Sequence, residues 1–306
     1  MSVKSYAKKS AASGKNYLEA MQLFSGELVQ DTLGFNLLSQ LLTQLAGVHL
    51  PSTPKNHALM ANRLSPILLK HKIKSYNHYY KFLENRKPSL IEEFISALTT
   101  HTTQFFRENQ QIDQFKALLK DYIKQKERQF NFELRIWCAA CSTGQEAYTL
   151  AMAIRDIIPD TSKWTVKILA TDIDFAALTQ AANGNYTESE IASLPTNYRK
   201  LYLTTQGAAN PPTYQFDARL QSIIRFAPHN LNDEFFPFKH PFDFIFCRNV
   251  LIYFNESSGE GVINRLEKHI VGGGYLMVGA SETGYVRSNT LENVHPSIYK
   301  KKERKK

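Results

Sequence analysis

An α/β fold preceded by an all-helical region is predicted for this chain, and three observations carry the prediction. From residue 132 onward, apolar runs of strand length alternate with amphipathic runs of helix length, and the strands are apolar on both faces. A parallel sheet covered by helices has that signature. Between residues 35 and 100 only helical periodicity is present. From about 188 to 230 the alternation breaks around Pro195, Pro211 and Pro212, which predicts a small antiparallel β-subdomain insert. The expected boundaries are a flexible tail over 1–28, a helical domain and linker over 29–110, and an α/β domain over 111–306.

Each element has its own signal. Residues 35–46 place Phe35, Leu38, Leu41, Leu42 and Leu45 on one helical face, and Gly47 stops the helix. Residues 55–73 repeat the pattern with Leu59, Met60, Leu64, Ile67 and Leu68, and Pro66 is expected to kink or split that helix. Two more helices follow at 75–86 and 89–100, the second opened by Pro88, where a missing N–H costs little. An amphipathic helix at 111–126 ends the helical grammar. Strands are then expected at 132–140, 164–174, 242–247 and 273–281, with helices at 144–158, 175–184 and 257–270. Inside the insert, "TYQFD" and "SIIRFAP" read as short antiparallel strands.

Composition narrows the classes. With 43% hydrophobic residues a packed core is available, and no apolar run reaches the roughly 18 residues that span a bilayer. The first twenty residues are charged without an apolar stretch, unlike a secretory signal. Three cysteines do not make a disulfide framework, so a cytoplasmic location is expected. Net charge is +9, and six of the last seven residues are basic, a run read as a solvated tail.

Ligands of such sheets bind beyond the carboxyl ends of the strands. The first strand ends in "AACSTGQEA" (139–147), where small residues let backbone approach a ligand and Gly144 permits the turn. Ser142 and Thr143 offer hydroxyls, and Glu146 offers a carboxylate to a cationic group such as an amine. The second ends in "ATDID" (170–174), where Asp172 is the candidate for ribose hydroxyls and Asp174 for capping the next helix. These ends suit a nucleoside-bearing cofactor without a pyrophosphate, a description that S-adenosylmethionine meets. "FDFIFCRNVLIYF" (242–254) carries Arg248 and Asn249 at a strand end and Tyr253 beyond, and "HNL" (229–231) supplies a loop for adenine. "NPPT" (210–213) imitates an amino-methyltransferase motif, but it lies in the insert and lacks the fourth aromatic, so nucleic acid is not the expected substrate. Cys138-x-x-Cys141 has metal-ligand spacing without a second pair, so no metal is expected.

With these residues assembled, the sequence resembles the CheR family of chemotaxis receptor methyltransferases. "KNHALMANRL", "TTQFFREN", "AACSTGQEAYTLAM", "ATDID", "HNL", "FCRNVLIYF" and "GASET" follow one another in the family's order over about 30–303. The resemblance implies a Rossmann-like S-adenosylmethionine-dependent methyltransferase sheet and transfer of methyl groups to receptor glutamate carboxylates, leaving S-adenosylhomocysteine. It implies cofactor contacts from His101, Thr103, Arg107, Glu146, Asp172, Asn230, Leu231, Arg248 and Asn249, with Arg107 and Tyr253 near the transferred methyl. The family usually has Asn where His101 stands, Glu where Gln145 stands and Pro where Ala147 stands. Further implications are a monomer without membrane insertion, recruited to membrane receptor arrays through the cytoplasmic domains of chemotaxis receptors. The helical domain helps dock the receptor, with Lys55, Arg63, Lys70, Lys72 and Lys74 offered to acidic receptor helices. Some members bind a receptor C-terminal peptide beside a glycine-rich loop, and the single Gly207 here leaves tethering open. Thr103 and Arg107, four residues apart, share a face if "HTTQFFREN" (101–109) is helical, with Phe105 and Phe106 anchoring it.

Overall fold

The computed structural model describes residues 21–84, 87–159, 162–206 and 211–303. The chain divides into two compact units that change over between Thr99 and Thr100. The first is helical: α1 (21–30), α2 (Thr32–Ala46), α3 (Pro54–Lys70), α4 (Tyr76–Glu84) and α5 (Pro88–Leu98). The tail expected over 1–28 is therefore corrected, because residues 21–28 are helical and Leu28 is buried; residues 1–20 lie outside the described residues. Asp31 caps α2 by accepting from Gly34 N–H at 2.9 Å, and Gly47 ends it in the left-handed region at φ 72°. Pro66 does not split α3, which runs through it. Its cost of about 3 kcal/mol is offset by the burial of Leu64 and Leu68 on either side, each worth about 1.5–3 kcal/mol.

The second unit opens with α6 (Asn109–Arg128), which precedes a seven-stranded sheet. Five strands are parallel in the order β6 (Ile224–Pro228), β2 (Thr165–Asp172), β1 (Glu133–Ala139), β7 (Phe242–Cys247) and β8 (Ile270–Val278). β10 (Ile298–Lys301) and β9 (Leu291–His295) extend it as an antiparallel hairpin. Side chains alternate across β1. Leu134, Ile136 and Cys138 pack with Phe115, Leu119, Leu150 and Ile154, from α6 and α7 (Gln145–Ile157). Trp137 and Ala139 pack on the other face with Val262 and Leu266 of α11 (Glu256–Lys268). In register, Ala139 lies opposite both Thr171 and Cys247, so β1, β2 and β7 release their chains level with one another.

After α8 (Phe175–Asn183), a three-stranded antiparallel sheet runs in the order β3 (Asn185–Thr187), β5 (Thr213–Phe216), β4 (Leu203–Gln206), with α9 (Thr196–Tyr202) inside it and α10 (Ala218–Gln221) after it. "SIIRFAP" does not belong to that sheet. Its residues form β6, paired in parallel with β2 from Ile168↔Ile224 to Asp172↔Pro228. An edge strand covered on one face alternates as an antiparallel strand does, which is why the pattern misled. The C-terminal basic run is also not wholly a solvated tail. Lys300 and Lys301 lie in β10, and Lys301 Nζ donates to the carbonyls of Glu267 and Ile270 at 2.7 and 2.8 Å. Residues 304–306 lie outside the described residues, as do 207–210 with Gly207.

Candidate active site

Of the eight non-glycine residues at positive φ among the described residues, five sit in loops at the sequence-predicted site: Phe106, Glu108, Ala140, Ser142 and Asn249. Each such residue costs about 1–2 kcal/mol, so neighbouring contacts must hold it, and such strain concentrates at functional sites. The β1–α7 loop shows how. Gly144 takes φ 99°, and a Cβ there would lie 2.8 Å from Ala181 Cβ and from Tyr186 Oη. Cys141 N–H donates to Thr171 O at 2.8 Å, and Ser142 N–H donates to Asp172 Oδ2 at 2.7 Å. Tyr186 Oη–H donates to Thr143 O at 2.7 Å.

Asp172 also accepts from Asp174 N–H at 3.0 Å through Oδ1, so each carboxylate oxygen keeps a lone pair for a ligand. Burial pushes its carboxyl above the ordinary range, against the pull of those two N–H groups. Asp174 caps α8, accepting from Ala176 and Ala177 N–H at 2.7 and 3.0 Å. His101 Nε2 stands 3.0 Å from Asp174 Oδ2, so this histidine braces the cap. His229 N–H donates to Asp172 O at 3.0 Å, which ties the "HNL" loop to the end of β2. Half-buried Asn230 turns the loop by accepting from Asn232 N–H at 2.9 Å, and buried Leu231 gives its carbonyl to Arg265 Nη2 at 2.9 Å.

Arg248 joins the pieces. Its buried guanidinium donates to Glu146 Oε2 at 2.8 Å and to the Arg107 carbonyl at 2.7 Å, and lies 3.3 Å from Glu108 Oε2. The cation that meets Glu146 inside the protein is thus Arg248, and Cys138 Sγ–H donates to the other oxygen at 3.2 Å. Asn249 Nδ2 donates to Glu108 Oε1 at 3.0 Å. Burial opposes ionisation of Glu108, but the bonds from Asn249 and Arg248 and the charges of Arg248 and Arg107 hold its carboxyl below the usual range. Fully buried Glu282 accepts from the N–H groups of Asn249, Val250 and Leu251 at 2.7 Å each, and from Gly279 at 2.6 Å. It fixes the turn Leu251–Tyr253. Tyr253 is half-buried there.

The "HTTQFFREN" segment is not a helix. Residues 101–104 are irregular and 105–108 form a turn, with α6 starting at Asn109. Thr103 and Arg107 therefore do not share a helical face; the positive φ of Phe106 and Glu108 breaks the periodicity on both sides of Arg107. Thr103 is half-buried before the turn, and Arg107 Nη1 donates to Thr102 O at 2.9 Å. Phe105 is buried against Tyr186 and Phe216, with ring centroids 5.1 and 5.5 Å away, within the second unit.

Glu108 and Glu282 escaped the sequence reading. Each stands inside a quoted motif, "TTQFFREN" or "GASET", but a carboxylate that serves backbone or neighbouring amides leaves no periodic trace. Cys138 and Cys141 are buried, and burial raises both thiols, the condition of inert cysteines.

The residues fit an S-adenosylmethionine-like ligand on three counts. Backbone is held open by small residues, Asp172 retains acceptor capacity, and two buried polar atoms, Ser142 Oγ and Arg248 Nε, have no partner among the described residues. The chain matches "CheR methyltransferase, SAM binding domain" over residues 101–299 and "CheR methyltransferase, all-alpha domain" over 33–99. It is 36% identical to a chemotaxis protein methyltransferase of Borreliella burgdorferi over 251 residues, 81% of this chain and 87% of that one. It is 32% identical to a chemotaxis protein methyltransferase of Escherichia coli over 249 residues, 81% of this chain and 83% of that one.

Proposed function

The chain belongs to the CheR methyltransferase family, and on that premise we propose that it transfers methyl groups from S-adenosylmethionine to glutamate side chains of chemotaxis receptors, giving glutamyl methyl esters. The observation that carries this reading is the buried Arg248. It joins the turn of Arg107, the first turn of α7 at Glu146 and the end of β7, so that the motifs converge. Bound S-adenosylmethionine supplies an electrophilic methyl on a sulfonium.

The chain's own task is then placement. A glutamate carboxylate, with a pKa of about 4.3, is ionised at neutral pH and needs no general base. Holding its oxygen about 3 Å from the methyl, in line with the leaving sulfur, supplies most of the acceleration. Arg107 offers two N–H groups to that carboxylate and Tyr253 a hydroxyl. Asp172 takes the ribose hydroxyls, with Asn230 and Leu231 beside the adenine. Thr103, Arg107, Glu146, Arg248 and Asn249 complete the cofactor site, and His101 acts through Asp174. The helical unit that ends at Thr99 docks the receptor's cytoplasmic part, the enzyme works as a monomer, and it acts in the cytoplasm at membrane receptor arrays. No helix among the described residues is long and apolar enough to cross a membrane.

The test is methylation of a receptor cytoplasmic fragment with methyl-labelled cofactor, followed by alkali. Glutamyl methyl esters release the label as methanol, whereas label stable to alkali would exclude carboxylate transfer. In the same assay Arg107→Ala is expected to lower kcat about 100-fold, far more than it weakens product affinity. Equal losses in both would refute a positioning role for Arg107.

A further inference from the structure

The turn that presents Arg107 leans on the β-subdomain. Phe106, at φ 56°, stacks on Tyr198 of α9 with ring centroids 5.1 Å apart and planes 20° from parallel. Tyr198 cannot easily swing away, because its hydroxyl donates to Asp156 Oδ2 and accepts from Lys116 Nζ at 2.9 Å, while Lys116 also pairs with Asp156 at 2.7 Å. These partners come from α7 and α6. Phe106 N–H also donates to Thr149 Oγ1 of α7 at 3.1 Å. Phe105, one residue earlier, packs edge-on against Tyr186 of β3. The two residues before Arg107 thus rest on the subdomain, while the Arg107 carbonyl is held by Arg248.

We propose that Tyr198, fixed by Lys116 and Asp156, is a positioning residue for Arg107, and that the β-subdomain is thereby part of the catalytic scaffold. The inference rests on the role of Arg107 proposed above. A strained turn keeps its conformation only where its surroundings over-determine it. Without the Tyr198 ring, Phe106 loses its platform, and the guanidinium next to it loses its aim. Asp172, Glu146, Arg248 and Asn249 are held by contacts that do not involve Tyr198, so turnover should suffer far more than cofactor binding.

The test is a double-mutant cycle in the full chain with a receptor fragment as substrate. Product affinity, kcat and thermal midpoint are measured for wild type, Tyr198→Ala, Arg107→Ala and the double variant. Tyr198→Ala is expected to lower kcat about tenfold or more with S-adenosylhomocysteine affinity within about twofold. Tyr198→Phe, which keeps the stacked ring but releases it from Asp156 and Lys116, should recover part of the loss and not all of it. The double variant should be no slower than Arg107→Ala, because a residue acting through Arg107 has nothing left to aim. Wild-type kcat in Tyr198→Ala, or a loss that adds in full to that of Arg107→Ala, overturns the proposal. If Tyr198→Ala does not fold, Phe106→Leu removes the same stack from the other side and enters the same cycle. If Arg107→Ala leaves too little activity to measure, Arg107→Lys takes its place. Undiminished kcat in Arg107→Ala would instead defeat the reading of Arg107 itself.

Discussion

At Asp172 two effects oppose each other, and the winner has a measurable consequence. Burial favours the neutral acid; the N–H groups of Ser142 and Asp174 favour the carboxylate; burial wins, and the pKa lies above the ordinary 3.8. Ribose hydroxyls donate to the ionised form, so affinity for S-adenosylhomocysteine should fall on acidification, with a midpoint above 3.8. Calorimetric titration from neutral pH downward checks this. Asp172→Asn should bind weakly at every pH, without that step. A wild-type affinity that stays constant through pH 3.8 and below would show that Asp172 does not hold the ligand. The place of Asp172 at a strand end was legible in the apolar run that precedes it. Glu108 and Glu282 were not, since their partners are an arginine, an asparagine side chain and backbone N–H groups that only the folded chain assembles.

Element placement depends on a second buried acid. Asp243, near the start of β7, accepts from Tyr122 Oη–H at 2.7 Å, Lys126 Nζ at 2.6 Å and Arg135 N–H at 2.7 Å. It thereby pins the last turns of α6 to β1 and β7. Removing one member of a buried ion pair strands the other, at about 3–5 kcal/mol. Asp243→Ala should therefore lower the urea midpoint strongly, while the folded fraction keeps its product affinity, since Arg248 leaves the opposite end of the strand. A midpoint within error of wild type would deny the anchor. The parallel strands and their helices were legible because continuous apolar runs bounded by amphipathic ones have few other solutions. β6 was misplaced because one-sided burial gives it an antiparallel rhythm, and β9 and β10 were missed because Leu291–Lys301 mixes charged and apolar residues without a clean period. The shared face of Thr103 and Arg107 holds only if 101–109 is helical, a condition that four-residue spacing cannot test because it ignores φ, and the two positive-φ residues in the turn at 105–108 are not glycines.

For the whole molecule, the net charge of +9 concerns encounter rather than fold. The five basic residues singled out in the helical unit are not equivalent. Arg63 donates to Thr99 O at 2.7 Å and Lys70 pairs with Glu93 at 2.6 Å, so these two serve their own unit. Lys55, Lys72 and Lys74 are exposed and remain available to an acidic partner. If receptor helices approach this charge, kcat/KM for a receptor fragment should fall as salt rises, because a Debye length of about 8 Å at 0.15 M shortens to about 3 Å at 1 M. The affinity for S-adenosylhomocysteine should stay flat over that range, since its site is built from short hydrogen bonds. Reversing Lys72 and Lys74 to Glu should lower kcat/KM and flatten its salt dependence without changing kcat, as expected when steering alone is lost. Substituting Arg63 should lower stability instead, by loosening α3 from the end of α5. A salt slope untouched by the Lys72 and Lys74 reversals would move the steering charge elsewhere on the molecule.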